Sequence, residues 1–219
     1  MLQLGDYDIY IFDCDGVILN SNQLKIEAMK NTLEAYFVDE ILIEKCLSYF
    51  SNNFGKSRFH HVAYFLEKIF MIEAKEKCEI ERLILKGFSE RCRTLYISAT
   101  LTPNFTSFID QCDGKRFVAS GSEQEELRYV FHQRKLDKLF DGIFGSPVSK
   151  DDNIQRIIEQ EGNSNAVMFG DAESDMFAAL KNGIDFVFYM PFSNVKDKMI
   201  DKCKLYNIPI IDDFSSVKF

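Results

Sequence analysis

Short apolar runs that end on small or acidic residues alternate with helix-period stretches along most of this chain. Ile9, Tyr10, Ile11 and Phe12 form a continuous apolar run closed by Asp13, Cys14, Asp15 and Gly16, which predicts a short buried strand with a turn at its carboxyl end. Asn20 and Ser21 can cap a following helix, in which Leu24, Ala28, Met29, Leu33 and Phe37 recur at helical spacing. Helices are predicted over 40–50, 57–70 and 74–92. Phe59, Val62, Leu66, Ile69 and Phe70 mark an apolar stripe on the second, and Ile80, Leu83, Ile84 and Phe88 mark one on the third. A polar turn over 51–55 interrupts this region. The stretch 20–91 carries no strand signal, which suggests a helical insertion between two parts of an α/β domain.

From about Cys92 the rhythm changes. A helix is expected near 104–111, after Pro103, followed by a strand at 117–119 and a small-residue turn, Ser120-Gly121-Ser122. Residues 123–133 read as a helix whose first turn is rich in glutamate, as the helix dipole favours. A strand at 143–145 precedes Ser149, Lys150 and a helix carrying Ile154, Ile157 and Ile158. A strand at 166–169 ends on Gly170-Asp171; a helix over 174–182 stops at Gly183, and 186–189 is a last buried strand. Strands alternating with helices predict a mostly parallel sheet covered on both faces. The lysines at 196, 198, 202 and 204 read as a solvated face.

Composition narrows the class. The chain has 219 residues, 46% of them hydrophobic, enough for one substantial core and a smaller second lobe. Its 21 phenylalanines, with no tryptophan, supply core volume. A net charge of −8 and a pI near 5.0 argue against a nucleic-acid footprint or a polybasic membrane patch. The six cysteines contain no C-x-x-C pair and form no zinc pattern with the three histidines, so free thiols in a reducing compartment are expected. The absence of a leader-like N-terminus and of a long apolar segment predicts a cytoplasmic protein, without a membrane partner, monomeric or weakly dimeric.

The candidate chemistry sits where the predicted strands end. Asp13 and Asp15, Ser120, Lys150, and Asp171 with Asp175 follow four different strands, and in a parallel sheet such ends meet along one edge. Two carboxylates one residue apart repel each other, and a divalent cation would relieve that repulsion. Two aspartates, a hydroxyl beside backbone N–H groups, a lysine and two further carboxylates suit phosphoryl transfer to an aspartate. Taken singly, each also has an ordinary reading as a turn residue or a solvated charge.

FDCDGVILNS resembles the first motif of the haloacid dehalogenase superfamily. Residues 118–122 are similar to its second, Lys150 to its third, and Gly170-Asp171-Ala172-Glu173-Ser174-Asp175 to its fourth, G-D-x-x-x-D. Four motifs in order span nearly the whole chain. The resemblance, closest to the helical-cap branch with β-phosphoglucomutase and phosphoglycolate phosphatase, implies a Rossmann-like parallel-sheet core over 1–19 and 92–219 with an inserted α-helical cap over 20–91. It implies Asp13 as the nucleophile and Asp15 as general acid and base. Ser120 and the Gly121 backbone would hold the phosphoryl oxygens, with Lys150 paired to Asp13 and the phosphate. Mg²⁺ would lie on Asp13, Asp171 and the Asp15 backbone carbonyl, with Asp175 as a ligand or a carboxylate behind it. Cys14 stands where leucine is usual and Asn20 where aspartate is common. Asp15, absent from the dehalogenases, points to phosphate esters.

The implied activity is Mg²⁺-dependent hydrolysis of a small phosphorylated metabolite, with a sugar phosphate preferred. A phosphomutase of the β-phosphoglucomutase type and a non-catalytic phospho-ligand-binding domain are the alternatives. In the cap loop, Arg58 is a candidate substrate-binding residue, because its planar fork suits carboxylate or phosphate; an exposed helix-start arginine is the plainer reading. His60 and His61 read as surface or packing residues. Gly55-Lys56-Ser57 lacks the spacing of a nucleotide-binding P-loop.

Overall fold

The computed structural model describes residues 2–218, Leu2 by its backbone alone. Strand β1 (Leu2–Gln3) pairs in parallel with the last strand, β8 (Val217–Lys218). The main sheet has six parallel strands. They are β2 (Ile9–Phe12), β3 (Lys115–Glu123), β4 (Gly142–Ser146), β5 (Ala166–Gly170), β6 (Asp185–Tyr189) and β7 (Ile210–Ile211), in the spatial order β4-β3-β2-β5-β6-β7. This is the α/β architecture that the strand and helix pattern predicts.

The order places β2 between β3 and β5, at the point where the chain stops building the sheet in one direction and starts in the other. A crevice opens there beyond the carboxyl ends of the strands. The register aligns Phe12 with Val118 on one side and Phe169 on the other, so Asp13 lies level with the end of β5 and beside the tail of β3 that carries Ser120. β2 is apolar throughout because both of its faces are covered. Ile9 and Ile11 belong to the core under α7 (Lys150–Glu161) and α8 (Glu173–Lys181). On the other face Phe12 stacks on Phe169 at 5.2 Å and meets edge-on Phe105 of α5 (Phe105–Ile109).

Between β2 and β3 run α1 (Asn22–Leu33), α2 (Glu40–Asn52), α3 (Arg58–Tyr64) with a π-helical turn over Phe65–Ile69, and α4 (Ala74–Ser98). The insertion is thus helical. The chain has no break at 91–92, since α4 continues to Ser98 and its last turn is anchored by the fully buried Tyr96. None of these helices is long and apolar enough to cross a membrane among the described residues.

Two local expectations change. Ser120-Gly121-Ser122 is the tail of β3 rather than a turn, although the pairing with β4 slips between Ala119 and Glu123. The inward face of α1 is rotated from the expected stripe: Leu24 is 39% exposed while Asn22 and Lys25 are buried. The lysines after 195 lie on α9 (Lys196–Tyr206), which buries Met199 and Cys203; Lys196, Lys198 and Lys204 are exposed, as expected of a solvated face, and Lys198 and Lys202 pair with Glu173. All six cysteines are free thiols.

Candidate active site

Asp13, Ser120 and Asp171 come from strand tails or the residue just after them, Lys150 and Asp175 from the first turns of α7 and α8, and all are buried at the crevice beside β2. Carboxylate oxygens of Asp13, Asp171 and Asp175 lie within 4.8 Å of one another. Lys150 stands between two of them, 3.1 Å from Asp13 Oδ1 and in contact with Asp175 Oδ1. The Asp13 Oδ1 atom also accepts the Cys14 N–H at 2.7 Å. Asp175 Oδ2 accepts the backbone N–H groups of Asp171 and Ala172, which ties the loop after β5 to the first turn of α8.

The charges do not balance. Burial above all, with Asp175 and Asp15 adding to it and Lys150 opposing, pushes the Asp13 carboxyl up to about 7. Asp171 is raised well above the usual carboxylate range, by burial and then by Asp175 and Asp13. One of its oxygens, Oδ1, is buried without a hydrogen-bond partner, while Oδ2 accepts from Asn22 Nδ2 at 2.6 Å. Three crowded carboxylates with one lysine, and a buried carboxylate oxygen without a partner, fit a hard divalent cation, which takes oxygen ligands and supplies the missing charge. Gly16 makes the packing possible. It sits at φ +76°, and a Cβ there would overlap the Asp171 carboxylate.

Asp15 faces elsewhere. Its carboxylate accepts from Ser21 Oγ (2.6 Å), Lys25 Nζ (2.9 Å), Ser122 Oγ (2.9 Å) and Tyr96 Oη (3.0 Å). Its side chain therefore lies outside the three-carboxylate cluster. Burial alone would raise its pKa, but Lys25, Ser21 and Ser122 outweigh burial and hold it below the ordinary value. Lys25 and Tyr96 went unnoticed in the sequence. The signal available was a lysine three residues after Asn22 and four before Met29, on the face of α1 that turns inward.

The insertion lies directly on this edge of the sheet. The Gly55 carbonyl packs against Gly121 so closely that a Cβ on Gly121 would overlap it, and Ser174 Oγ donates to the Phe54 carbonyl at 3.3 Å. Arg58 is neither an exposed helix-start residue nor open to the cleft. Its guanidinium donates to both carboxylate oxygens of Glu126 on α6 (Gln124–Gln133), at 2.6 and 3.1 Å, and lies over the Phe88 ring. Both residues are almost wholly buried. His60 hydrogen-bonds Tyr49 at the surface; His61 is buried against Phe50 and Phe65 with both ring nitrogens unpartnered.

Between the loop before α3 and the core lies a cavity of about 400 Å³ that reaches Lys150 and Gly121. Lys150 belongs both to the carboxylate cluster and to the lining of this metabolite-sized cavity, so its charge faces both.

The comparisons with known proteins bear on family and fold. The family profile described as haloacid dehalogenase-like hydrolase matches residues 10–189. A haloacid dehalogenase-like family hydrolase from Streptococcus pneumoniae superposes with a TM-score of 0.73 at 15% identity, covering 97% of each chain. A protein described as a predicted phosphatase, from Clostridium acetobutylicum, gives 0.73 at 17% identity over 97% of this chain and 96% of the other. A β-phosphoglucomutase from Clostridium difficile gives 0.70 at 16% identity over 97% and 94%. At these identities the likeness is one of fold. No curated protein matches the chain. The profile covers the strand ends that carry all four motifs, and on that ground the chain belongs to the haloacid dehalogenase-like hydrolases.

Proposed function

We propose that the protein is a Mg²⁺-dependent phosphatase of a small phosphorylated metabolite, a sugar phosphate by preference, working through an aspartyl-phosphate. The observation that carries this reading is the buried cluster of Asp13, Asp171 and Asp175 with a single lysine at the closed edge of the sheet. In this reading residues 1–19 and 92–219 are the catalytic core, and 20–91 are a cap that closes over the substrate.

Asp13 Oδ1 is held by Cys14 N–H and Lys150, which leaves Oδ2 to attack phosphorus. The P–O bond to the leaving group breaks as the Asp13–P bond forms. Ser120 and the Gly121 N–H would hold phosphoryl oxygens, and Lys150 offsets their charge. Asp13, Asp171, Asp175 and the Asp15 backbone carbonyl would hold the cation, which supplies further positive charge on the phosphoryl group when bound. Asp15 would give its proton to the leaving oxygen, then take one from the water that hydrolyses the aspartyl-phosphate. The incoming phosphoryl charge favours the protonated form of Asp15, against the donors that hold it ionised in the free protein. The seated cap loop keeps bulk water from the aspartyl-phosphate.

Phosphate release from a panel of sugar phosphates and other small phosphoesters tests the reading, with Mg²⁺ or EDTA, for wild type and Asp13→Asn. Metal-dependent release that the variant abolishes supports it. Release that persists in Asp13→Asn removes Asp13 as nucleophile. Absence of release from every ester by the metal-loaded protein sinks the phosphatase.

A further inference from the structure

Asp171 is held from two sides. Its backbone carbonyl accepts from Ser193 Oγ at 2.6 Å, and its carboxylate Oδ2 accepts from Asn22 Nδ2, also at 2.6 Å. The same Asn22 nitrogen donates to the Phe192 carbonyl, in the loop after β6, at 2.9 Å. Both amide hydrogens are therefore used, and the two acceptors fix which way the amide faces. Turned over, its oxygen would meet a carboxylate and a carbonyl with no hydrogen to share. Gly16 closes a further side, because a Cβ there would overlap Asn22 Nδ2 as well as the Asp171 carboxylate.

This hydrogen-bonded pair leaves two oxygens over. Asn22 Oδ1 and Asp171 Oδ1 are both buried without a hydrogen-bond partner, in residues only 3% and 1% exposed. A buried acceptor without a donor is costly, and two on one pair call for something other than packing. A cation answers both. Asp171 Oδ1 is an oxygen ligand, and Asn22 Oδ1 is an acceptor for a water of the kind that Mg²⁺ retains. Asn22 is also the first residue of α1, so the hold on this carboxylate is built into the start of the helical insertion.

We propose that Asn22 is a positioning residue for the metal: by occupying Asp171 Oδ2 it presents Asp171 Oδ1 to the cation. This rests on the cation site of the phosphatase reading and adds to it a residue outside the four motifs. A carboxylate with neither oxygen tied can rotate and offer either one; with one oxygen held, the other points one way. Asn22 acts through Asp171 and touches no reacting atom. Its loss therefore changes how much metal the reaction needs, and leaves the rate with the metal in place unchanged.

The test measures Mg²⁺ binding by calorimetry on wild type, Asn22→Ala and Asn22→Ser, and follows phosphate release as Mg²⁺ is raised. Alanine suits the first position of a helix, and serine keeps a hydroxyl set too close to the backbone to reach Asp171. Should one variant fail to fold by circular dichroism, the other decides. Each is expected to bind Mg²⁺ about tenfold or more weakly, the usual loss when a group behind a metal ligand is removed. Each should also recover the wild-type kcat once Mg²⁺ is saturating. An unchanged Kd in a folded variant overturns the proposal, as does a loss of kcat that saturating Mg²⁺ does not restore, which would assign Asn22 to the seating of α1. Wild type that binds no Mg²⁺ removes the proposal and the cation site together. Weakened binding in the variants, with no ester hydrolysed by any of the proteins, would leave Asn22 in this role and remove the phosphatase; hydrolysis at an unchanged Kd would do the reverse.

Discussion

Arg58 and Glu126, 68 positions apart, form a two-pronged ion pair at 2.6 and 3.1 Å that joins the helical insertion to the core while excluding water from both partners. Ser89 adds a third hold, donating to the same Glu126 oxygen that accepts Arg58 Nη1, at 2.8 Å. An arginine fork and a carboxylate match in geometry, which is why the pair can be buried at all.

Breaking this pair strands a buried charge. Glu126→Met and Arg58→Met are each expected to cost about 3–5 kcal/mol, whereas the two together should cost much less than the sum. Denaturant unfolding of the four proteins measures the coupling. Additive losses would show that the pair contributes nothing beyond its separate side chains.

Gly121→Ala should lower the melting temperature without preventing folding, and remove most activity. The added methyl overlaps the Gly55 carbonyl, so the loop before α3 cannot seat on β3, while the alanine conformation itself is unstrained. Thermal unfolding and phosphate release, measured on one preparation, separate the two effects. Unimpaired turnover would mean that the reaction does not need the seated loop.

Divalent metal should stabilise the protein by relieving repulsion among Asp13, Asp171 and Asp175. At a concentration about 100 times its Kd the gain is about 2.7 kcal/mol. Asp171→Asn removes one ligand and part of the repulsion, so this variant should be more stable than wild type without metal and gain less from it. A melting curve of wild type that Mg²⁺ leaves unmoved would contradict the assignment of the cluster.

His61 sets an acid limit on stability. Burial, with His60 and Lys25 adding to it, lowers its pKa from 6.5 to about 3. Between these values the unfolded chain binds a proton that the folded chain refuses. The contribution of the neutral ring is therefore complete above pH 6.5 and declines as pH falls towards 3, by about 1.4 kcal/mol per pH unit at most. His61→Leu should flatten the stability profile across this window, read by urea unfolding at a series of pH values. An identical slope in the variant would assign the acid loss to other groups.

Removing Lys25 leaves Asp15 with three hydroxyl donors and no cation. In Lys25→Met the pKa of Asp15 should rise, moving the limb of the kcat/KM profile that Asp15 controls to higher pH. A profile unchanged in Lys25→Met would show that Asp15 does not govern that limb.

The strands, the helical insertion and the edge on which Asp13, Ser120, Lys150, Asp171 and Asp175 meet are legible from the sequence, because each depends on local pattern. Short apolar runs and period-3.6 spacing place the elements, parallel strands share one carboxyl edge, and a residue just past a strand must lie on that edge. Pairings across the fold have no such local signature. Lys25 reads as one more polar position on a helix until Asp15, ten residues earlier, is seen to accept from it; Tyr96 reads as the tail of a helix until its hydroxyl reaches the same carboxylate. Arg58 looked suited to a substrate because its fork fits an anion, and only the folded chain shows that a glutamate 68 positions away already occupies it. By itself, the sequence determined which groups share the edge. The tertiary structure decided which of them are already paired and which, like Asp171 Oδ1, are left free, because charge balance in a buried site depends on neighbours that chain order does not reveal.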